Sequence, residues 1–396
     1  MLLEVYSMKK YVLVLLYIIN AAISPLFCAA QDAVAPSATT ASPPAAKMIP
    51  LIGRVGINGG KASPIESGWA TFAIPGDWLT ASVEFADAAP ADVDIESAIE
   101  PAAAKTYLVK EGRNLRWEMS GGAAKKFQPG GMQWQAPPVP GSYKLSALLV
   151  EEATYSRLAP EEKNLNERNI VGSFVFNFIV MQAFDKDSNG VIEGYPIGLY
   201  PNENDAKVRE PVLSHREAYR PPKYFIKVTP ENASTPISRH FTLGDFSPAS
   251  EKGKTHFIAL DPSLVKRLED LLDALKEAGI KVSSFKILRG FIPPNGVELM
   301  RRKGIEIAQF SRTIYGDSCI FIIDENGDGM MDDITGDGNV DQADFEVVAE
   351  LVMAIEDKTR LFGGLGFSST FKDPGFKDTP NFQIDTRGWR VRWSDD

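Results

Sequence analysis

The sequence has few of the residues on which disulfide scaffolds and histidine-based metal sites depend. Two cysteines among 396 residues exclude a disulfide-rich scaffold. Three histidines are few for a histidine-based metal enzyme. Basic residues are in the minority, at 42 Lys and Arg against 52 Asp and Glu, and no basic stripe is visible. We therefore expect no nucleic-acid partner.

The remaining composition is typical of a globular protein. Hydrophobic residues make up 44% of the chain and charged residues 24%, which excludes wholesale disorder and collagen-like repeats. The length predicts two or three domains of ordinary size.

Residues 1–30 have the pattern of a secretory signal peptide. Two lysines precede an apolar run at 11–22, and the small residues Cys-Ala-Ala that end the segment supply a cleavage site. Asn20 and Pro25 interrupt the run before it reaches the ~20 apolar residues that a membrane span requires. We expect export to the periplasm or cell envelope, with membrane contact only through this segment if it is uncleaved. A lipid anchor on Cys28 is a third alternative.

Residues 31–48 are almost entirely Ala, Pro, Ser and Thr, a composition that predicts a flexible linker. Cleavage of the signal would leave Cys319 as the only thiol. Cys319 lies in an apolar stretch, so we expect it to be buried and unreactive.

Residues 49–182 alternate between apolar and polar side chains. Period-two alternation predicts strands at 69–74, 81–85, 115–119, 132–135, 143–149 and 174–180. Pro-Gly and Gly-Gly turns separate them, which favours a β-sandwich. The stretches Trp134-Gln-Ala-Pro and Pro140-Gly-Ser-Tyr143 resemble those of bacterial immunoglobulin-like domains. Such a domain is expected to be a spacer without chemistry of its own.

Residues 183–237 are polar and proline-rich and are predicted to form an extended connector. The connector contains large apolar side chains that we expect to be buried, so it should pack against a domain; they are Tyr195, Ile197 and Tyr200.

Residues 238–396 mix helical and strand patterns, which predicts an α+β domain. An Asp-Pro start at Asp261 and a Gly279 stop bound one amphipathic helix. Residues 280–288 and 319–323 are predicted strands, and a second amphipathic helix carries Phe345, Val348, Leu351, Val352 and Ile355.

Five stretches of this region together resemble a known family. They are His240-Phe-Thr-Leu-Gly-Asp-Phe246, Leu260-Asp-Pro-Ser-Leu264, the strand pattern at 282–290, Ser311-Arg-Thr-Ile-Tyr-Gly-Asp317 and Phe382-Gln-Ile-Asp-Thr-Arg-Gly388. In order and spacing they are similar to the zinc D-alanyl-D-alanine carboxypeptidases, which have the Hedgehog-like DD-peptidase fold. The resemblance covers about the last two fifths of the chain.

The zinc ligands of that family are missing. The family reads S-x-H-x-x-G-x-A-x-D, and Ser311 and Gly316 match. Thr313 stands at the histidine position, Ile320 at the aspartate position, and Gln383 at the position of a later histidine. Catalytic zinc needs three nitrogen, sulfur or carboxylate ligands, so the resemblance implies a pseudo-peptidase without zinc.

Other residues do not rebuild a catalytic site in the sequence. The family's substrate-binding arginine falls on Ile292, which cannot pair with a carboxylate. His215, His240 and His256 have no second histidine at metal-ligand spacing and are read as structural. Cys319 has no basic neighbour that would lower its pKa.

The strongest positive signal is an acidic insertion at 324–344, which contains no lysine or arginine. It resembles EF-hand and dockerin-like calcium loops, in which alternate oxygens surround the ion and glycine makes the turn. Its candidate calcium ligands are Asp324, Asn326, Asp328 and Asp332 in the first loop, then Asp333, Thr335, Asp337, Asn339, Asp341 and Asp344 in the second. The loops overlap at 333–335, so they are not two ordinary EF-hands. A solvated turn without calcium is the alternative.

Three functional hypotheses follow. The first is an exported envelope protein whose carboxypeptidase-like domain binds calcium and cell-wall peptides, or another envelope protein, without cutting them. The second is an active metallo-carboxypeptidase with divergent ligands. The third is a structural scaffold with no small ligand.

Overall fold

The computed structural model describes residues 49–394 apart from 86–103, 110–112, 121–124, 129, 152–169, 186–188, 205–207, 209–210, 306 and 374. All of these residues belong to one of two units, the one spanning Ala46–Asp396. The predictions of a signal segment, an anchor and a linker at 1–48 lie outside the described residues.

The first ten strands form two five-stranded sheets. One sheet has the order β2-β1-β4-β8-β7 and the other β3-β10-β9-β6-β5. The strands are β1 (Leu51–Ile57), β2 (Ser63–Ile65), β3 (Ala70–Ala73), β4 (Trp78–Phe85), β5 (Ala104–Val109), β6 (Arg113–Ser120), β7 (Lys125–Gln128), β8 (Gly131–Gln135), β9 (Gly141–Glu151) and β10 (Ile170–Val180). Every strand predicted between 69 and 180 is present.

Aromatic side chains from both sheets fill one shared core. Phe176 and Phe178 on β10 point inward at period two and are fully buried. Trp117 on β6 stacks on Phe176 at 6.2 Å, and Trp134 on β8 stacks on Phe178 at 5.2 Å between ring centroids. The period-two pattern therefore marks the buried face.

The connector contributes short strands to the following fold. They are β11 (Gln182–Ala183), β12 (Val191–Ile192), β13 (Tyr195–Pro196) and β14 (Tyr224–Val228), and β14 lies between β11 and β15 (His256–Ile258). Ile197 is fully buried, and Tyr200 donates a hydrogen bond to the Ile314 carbonyl at 2.7 Å. The segment is thus packed rather than free.

The last part of the chain is an α+β arrangement. Its sheet has the order β16-β17-β19-β18-β20, made of β16 (Lys286–Arg289), β17 (Ser318–Ile322), β18 (Gly364–Ser368), β19 (Asn381–Asp385) and β20 (Val391–Ser394). The described residues contain three α-helices, α1 (Pro262–Glu277), α2 (Pro294–Arg302) and α3 (Gln342–Thr359). None of the helices in the described ranges is long and apolar enough to cross a membrane.

Helix α1 follows the signals in the sequence. Asp261 accepts a hydrogen bond from the Ser263 amide at 2.8 Å, and a proline occupies the first turn. Leu264, Leu268 and Leu271 are fully buried on one face. This face packs α1 against the C-terminal core.

The strand predicted at 280–288 is wrong in its extent, because only Lys286–Arg289 forms a strand. Lys286 pairs with Ile322, the last residue of β17. Beyond that point the neighbouring chain turns into the acidic loop, so residues before Lys286 have no strand to pair with.

Candidate functional site

The three positions where the resemblance expects zinc ligands lie around one cavity of about 1120 Å³. Thr313 belongs to a 3-10 turn, Arg312–Tyr315, while Ile320 lies on β17 and Gln383 on β19. Ile320 and Gln383 are directly opposite each other across these antiparallel strands. Side chains 70 positions apart in the sequence thus line a single space.

The side chains at these positions do not fit zinc. Thr313 is 2% exposed and its hydroxyl is 2.9 Å from that of Ser311. Gln383 donates its amide N–H to the Ser318 hydroxyl at 3.3 Å, and Ile320 has no donor atom. Within the described ranges no three His, Cys, Asp or Glu side chains lie close enough to hold a metal. No hydrolytic step can be derived for this site.

Four cationic side chains line the cavity, and the sequence did not mark any of them as a site residue. They are Arg289, Arg312, Lys372 and Arg387. Ile292, where the resemblance expects an arginine, packs in an apolar cluster with neighbours such as Val297 and Ile314. The four cations come from four separate segments, so no local motif could have identified them.

Three of these cations, Arg289, Arg312 and Arg387, form ion pairs with carboxylates, and those of Arg312 and Arg387 are the more complete. Arg387 donates from Nε to both Asp385 oxygens, at 2.8 and 2.9 Å. Arg312 donates from Nε to Asp317 at 3.1 Å and from Nη1 to the Ala218 carbonyl at 2.7 Å. These pairs fix two guanidinium groups in place.

Arg289 is paired less completely. Its Nε and Nη2 both donate to a single oxygen of Asp373, at 3.2 and 2.7 Å. Its guanidinium lies 4.8 Å from the centre of the Phe371 ring. Arg289 and the loop containing Phe371 and Asp373 therefore form one wall of the cavity.

The pKa values of the two buried carboxyl groups near the cavity, Asp317 and Asp385, are shifted in opposite directions. Burial raises the pKa of Asp385, but the hydrogen bonds and charge of Arg387 prevail and lower it below its ordinary value. Burial raises the pKa of Asp317 to about 6, although Arg312 acts to lower it and Asp385 and Asp261 add to the rise.

Glycine makes room for an aromatic wall. A Cβ placed on Gly366 of β18 would lie 2.0 Å from the Trp393 ring on β20. Any side chain at this position would displace Trp393, which lines the cavity.

The histidines occupy structural positions. His256 is buried, with Nε2 2.8 Å from the Ser247 hydroxyl, and burial lowers its pKa. Nδ1 of His240 is 2.6 Å from a Glu269 oxygen, and His215 stacks on Trp389 at 3.7 Å between ring centroids. None of the three lines the cavity.

Cys319 is buried, as expected. Desolvation, together with the nearby charge of Asp385, raises the pKa of its thiol far above the ordinary value. The thiol is therefore not set up as a nucleophile.

The first acidic loop is docked on β16. Asp324 accepts hydrogen bonds at Oδ2 from the Lys286 ammonium at 2.6 Å and from the Gly329 amide at 3.0 Å. The Asp324 side chain is only 3% exposed, and its Oδ1 atom is buried without a hydrogen-bond partner. Burial raises the pKa of Asp324, but Lys286 and the backbone donors outweigh it and the pKa is lowered. A cation supplied by a distant strand thus balances part of the charge.

The other side chains of the first loop hold its turn. Asp332 accepts from the Glu325 amide at 2.6 Å and from the Asn326 side chain at 2.9 Å. The oxygen of Asn326 accepts from the Asp328 amide at 2.8 Å. Asp328 is exposed.

The second acidic loop is satisfied mainly by its own backbone. Asp333 accepts from the Gly336 and Gly338 amides, both at 2.7 Å. Asp344 is fully buried: its Oδ1 accepts from the Ile334 and Thr335 amides and its Oδ2 from the Asp341 amide.

Asp341 caps α3 through the Ala343 amide at 2.8 Å. The oxygen of Asp337 accepts from the Asn339 amide at 2.8 Å. Each loop has one buried side-chain oxygen without a hydrogen-bond partner among the described residues, but the two differ in charge: it is the carboxylate Oδ1 of Asp324 in the first loop and the neutral amide Oε1 of Gln342 in the second.

Comparison with known proteins gave no match: no family model, no curated protein and no solved structure is similar to this chain.

Proposed function

We propose that this protein is an exported, non-catalytic carboxypeptidase-like protein that holds cell-wall peptides and binds calcium. One observation carries the proposal: Thr313, Ile320 and Gln383, which are far apart in sequence, surround one large cavity without forming a zinc site. A cavity of this size is ample for a small ligand. The two N-terminal sheets are proposed to be an immunoglobulin-like spacer.

Retention on purified peptidoglycan tests this function. The mature protein should be retained, should contain no stoichiometric zinc and should release no D-alanine. Chelator-sensitive release of D-alanine would contradict the proposal and favour an active metallo-carboxypeptidase. Failure to be retained would contradict it and favour a structural scaffold.

A restored site tests the placement of the three positions. The variant Thr313→His/Ile320→Asp/Gln383→His should bind about one zinc ion per chain, because the three side chains face one cavity. The matched control, Thr313→His/Ile320→Asp, lacks the third ligand and should bind zinc much more weakly. Equal zinc content in both variants would contradict this placement.

Calcium is proposed to bind at the first acidic loop. The buried, unpartnered Oδ1 of Asp324 supports this assignment, since a buried carboxylate oxygen without a partner is costly. Carboxylate and amide oxygens of Asn326, Asp328 and Asp332 lie in the same loop and are of the type that calcium prefers. No three carboxylates of the described residues converge on one point, so calcium would have to draw these side chains together. The second loop offers no such unpartnered oxygen at its buried carboxylate, because both oxygens of Asp344 already accept hydrogen bonds from backbone amides.

A further inference from the structure

The charged side chains that line the cavity are all cationic, although the chain as a whole is acidic and three of these cations are paired with carboxylates outside the lining. The protein has a net charge of −10 at neutral pH. Four cationic side chains line the cavity, whereas no Asp or Glu of the described residues does so. Such a lining attracts anions and repels cationic ligands.

Two of the four cations are available to a ligand. Arg312 and Arg387 are committed to buried carboxylates through several hydrogen bonds. Lys372 is exposed and has no ion-pair partner among the described residues. Arg289 uses only Nε and Nη2 on Asp373, which leaves Nη1 without an acceptor in the described part of the chain.

Lys372 and Arg289 belong to the same wall. Lys372 lies between Phe371, whose ring packs on Arg289, and Asp373, whose carboxylate holds Arg289. Arg289 therefore presents an N–H edge without an acceptor among the described residues, and Lys372 adds an exposed ammonium on a long, flexible stem to the lining of the same cavity. Carboxylate and phosphate groups are the anions that such a pair recognises.

The rest of the lining is largely uncharged. It includes the apolar side chains Val212, Ile305, Ile307, Phe310 and Ile320. The amides of Asn381 and Gln383 add hydrogen-bonding groups. A ligand with one anionic end and an uncharged body would match both parts.

We propose that Arg289 and Lys372 bind the carboxylate or phosphate group of a small ligand whose uncharged part fills the remainder of the cavity. This deepens the proposed function and rests on it in treating the cavity as a binding site. The residues involved differ from the position at which the carboxypeptidase resemblance places its arginine.

Matched pairs of probes test the proposal by calorimetry on the mature protein. N-acetyl-D-alanyl-D-alanine is compared with its C-terminal amide, and N-acetylglucosamine 6-phosphate with N-acetylglucosamine. In at least one pair the anion should bind about tenfold or more tightly, since a hydrogen bond to a charged group contributes on this scale. The pair that shows the preference identifies carboxylate or phosphate as the source. The preference should shrink as salt is raised.

Lys372→Gln should remove most of the preference, and Arg289→Lys should keep part of it by retaining the charge. Lys358→Gln, at an exposed lysine on α3, is the control and should leave the preference unchanged. Equal binding of anion and neutral probe, no binding of either anion, or an unchanged preference in Lys372→Gln would overturn the proposal. Peptidoglycan retention is measured separately. Loss of retention with the anion preference intact would refute only the proposed function.

Discussion

Asp324 is the residue that best distinguishes a calcium site from a solvated turn. Calcium should raise the unfolding midpoint of the wild type, because a ligand that binds only the folded state stabilises it by RT ln(1 + [L]/Kd). With Kd ~10⁻⁴–10⁻³ M, the gain at about 10 mM calcium is roughly 1.4–2.7 kcal/mol. Asp324→Asn should abolish most of this gain, whereas Asp337→Asn in the second loop should retain it. Thermal unfolding in calcium, magnesium and chelator measures the difference.

Lys286 allows a second test at the first acidic loop, of whether a neighbouring positive charge weakens calcium binding. Its ammonium is 2.6 Å from Asp324, so it repels an incoming calcium ion. Lys286→Gln should therefore strengthen calcium binding by roughly 1 kcal/mol, while Lys358→Gln should not. Identical wild-type midpoints in calcium and chelator would refute the site. Weaker calcium binding in Lys286→Gln would refute this account of its charge.

Asp317 should make the free energy of unfolding depend on pH, and the raised pKa of its carboxyl group sets the sign of that dependence. Burial raises this pKa from its ordinary value of 3.8 to about 6. Between about pH 4 and pH 6 the folded protein holds the proton more tightly than the unfolded chain, so acidification stabilises the fold. From pH 7 to pH 5 the wild type should gain roughly 1 kcal/mol relative to Asp317→Asn. Urea unfolding of both proteins at several pH values tests this, and parallel profiles would contradict it.

The residues of the cavity show what the sequence could and could not predict. Thr313, Ile320 and Gln383 were singled out by a resemblance that stays a prediction, and the structure places all three around one cavity. Lys372 and Arg289 were not singled out, because tertiary folding alone brings β16 beside the loop that precedes β19. The cation at the acidic loop was missed for the same reason, since Lys286 lies 38 positions from Asp324.

At the scale of elements, Glu356 links α3 to α1 and to the C-terminal strand. It is fully buried and accepts hydrogen bonds from Arg267 of α1 at 2.5 Å, from Arg390 at 2.8 Å and from Arg392 of β20 at 2.9 Å. Glu356→Gln would remove the carboxylate that is hydrogen-bonded to the buried Arg267. We expect a loss of about 3–5 kcal/mol in the free energy of unfolding.

Urea unfolding measures this loss, and Glu350→Gln at an exposed position on the same helix serves as the control. The control should change stability by less than about 0.5 kcal/mol. Equal effects of the two substitutions would mean that the Glu356 cluster contributes no more than a surface charge.

Elements with strong periodicity were predicted correctly, and elements that depend on a partner were not. The strands around Trp117 and Trp134 and the helix beginning at Pro262 follow from period and capping alone. Helix α2, Pro294–Arg302, has only nine residues and starts within a Pro-Pro pair, so its sequence carried little signal. The length of β16 is set by the end of its partner strand β17, so it could not be predicted from the residues of β16 itself.

At the scale of the whole unit, the acidic loop and the cavity share two segments of chain. Strand β16 holds Lys286 against Asp324 and also carries Arg289 in the cavity wall. The segment between β18 and β19 carries Lys372, and its Thr379 hydroxyl accepts a hydrogen bond from the Met331 amide of the acidic loop at 2.8 Å. Calcium that orders the loop should therefore also order the wall that binds an anion.

This connection predicts positive coupling between calcium and the anionic ligand. Calcium should lower the Kd of the preferred anionic probe about fivefold or more, and by linkage the probe should tighten calcium binding by the same factor. Thr379→Val removes the hydroxyl acceptor and should reduce the coupling, while Thr379→Ser retains the hydroxyl and should preserve it. Calorimetric titrations in calcium and in chelator give both factors. An equal Kd in the two conditions, with calcium bound, would show that the loop and the cavity act independently, and Lys286 and Thr379 would then serve stability alone.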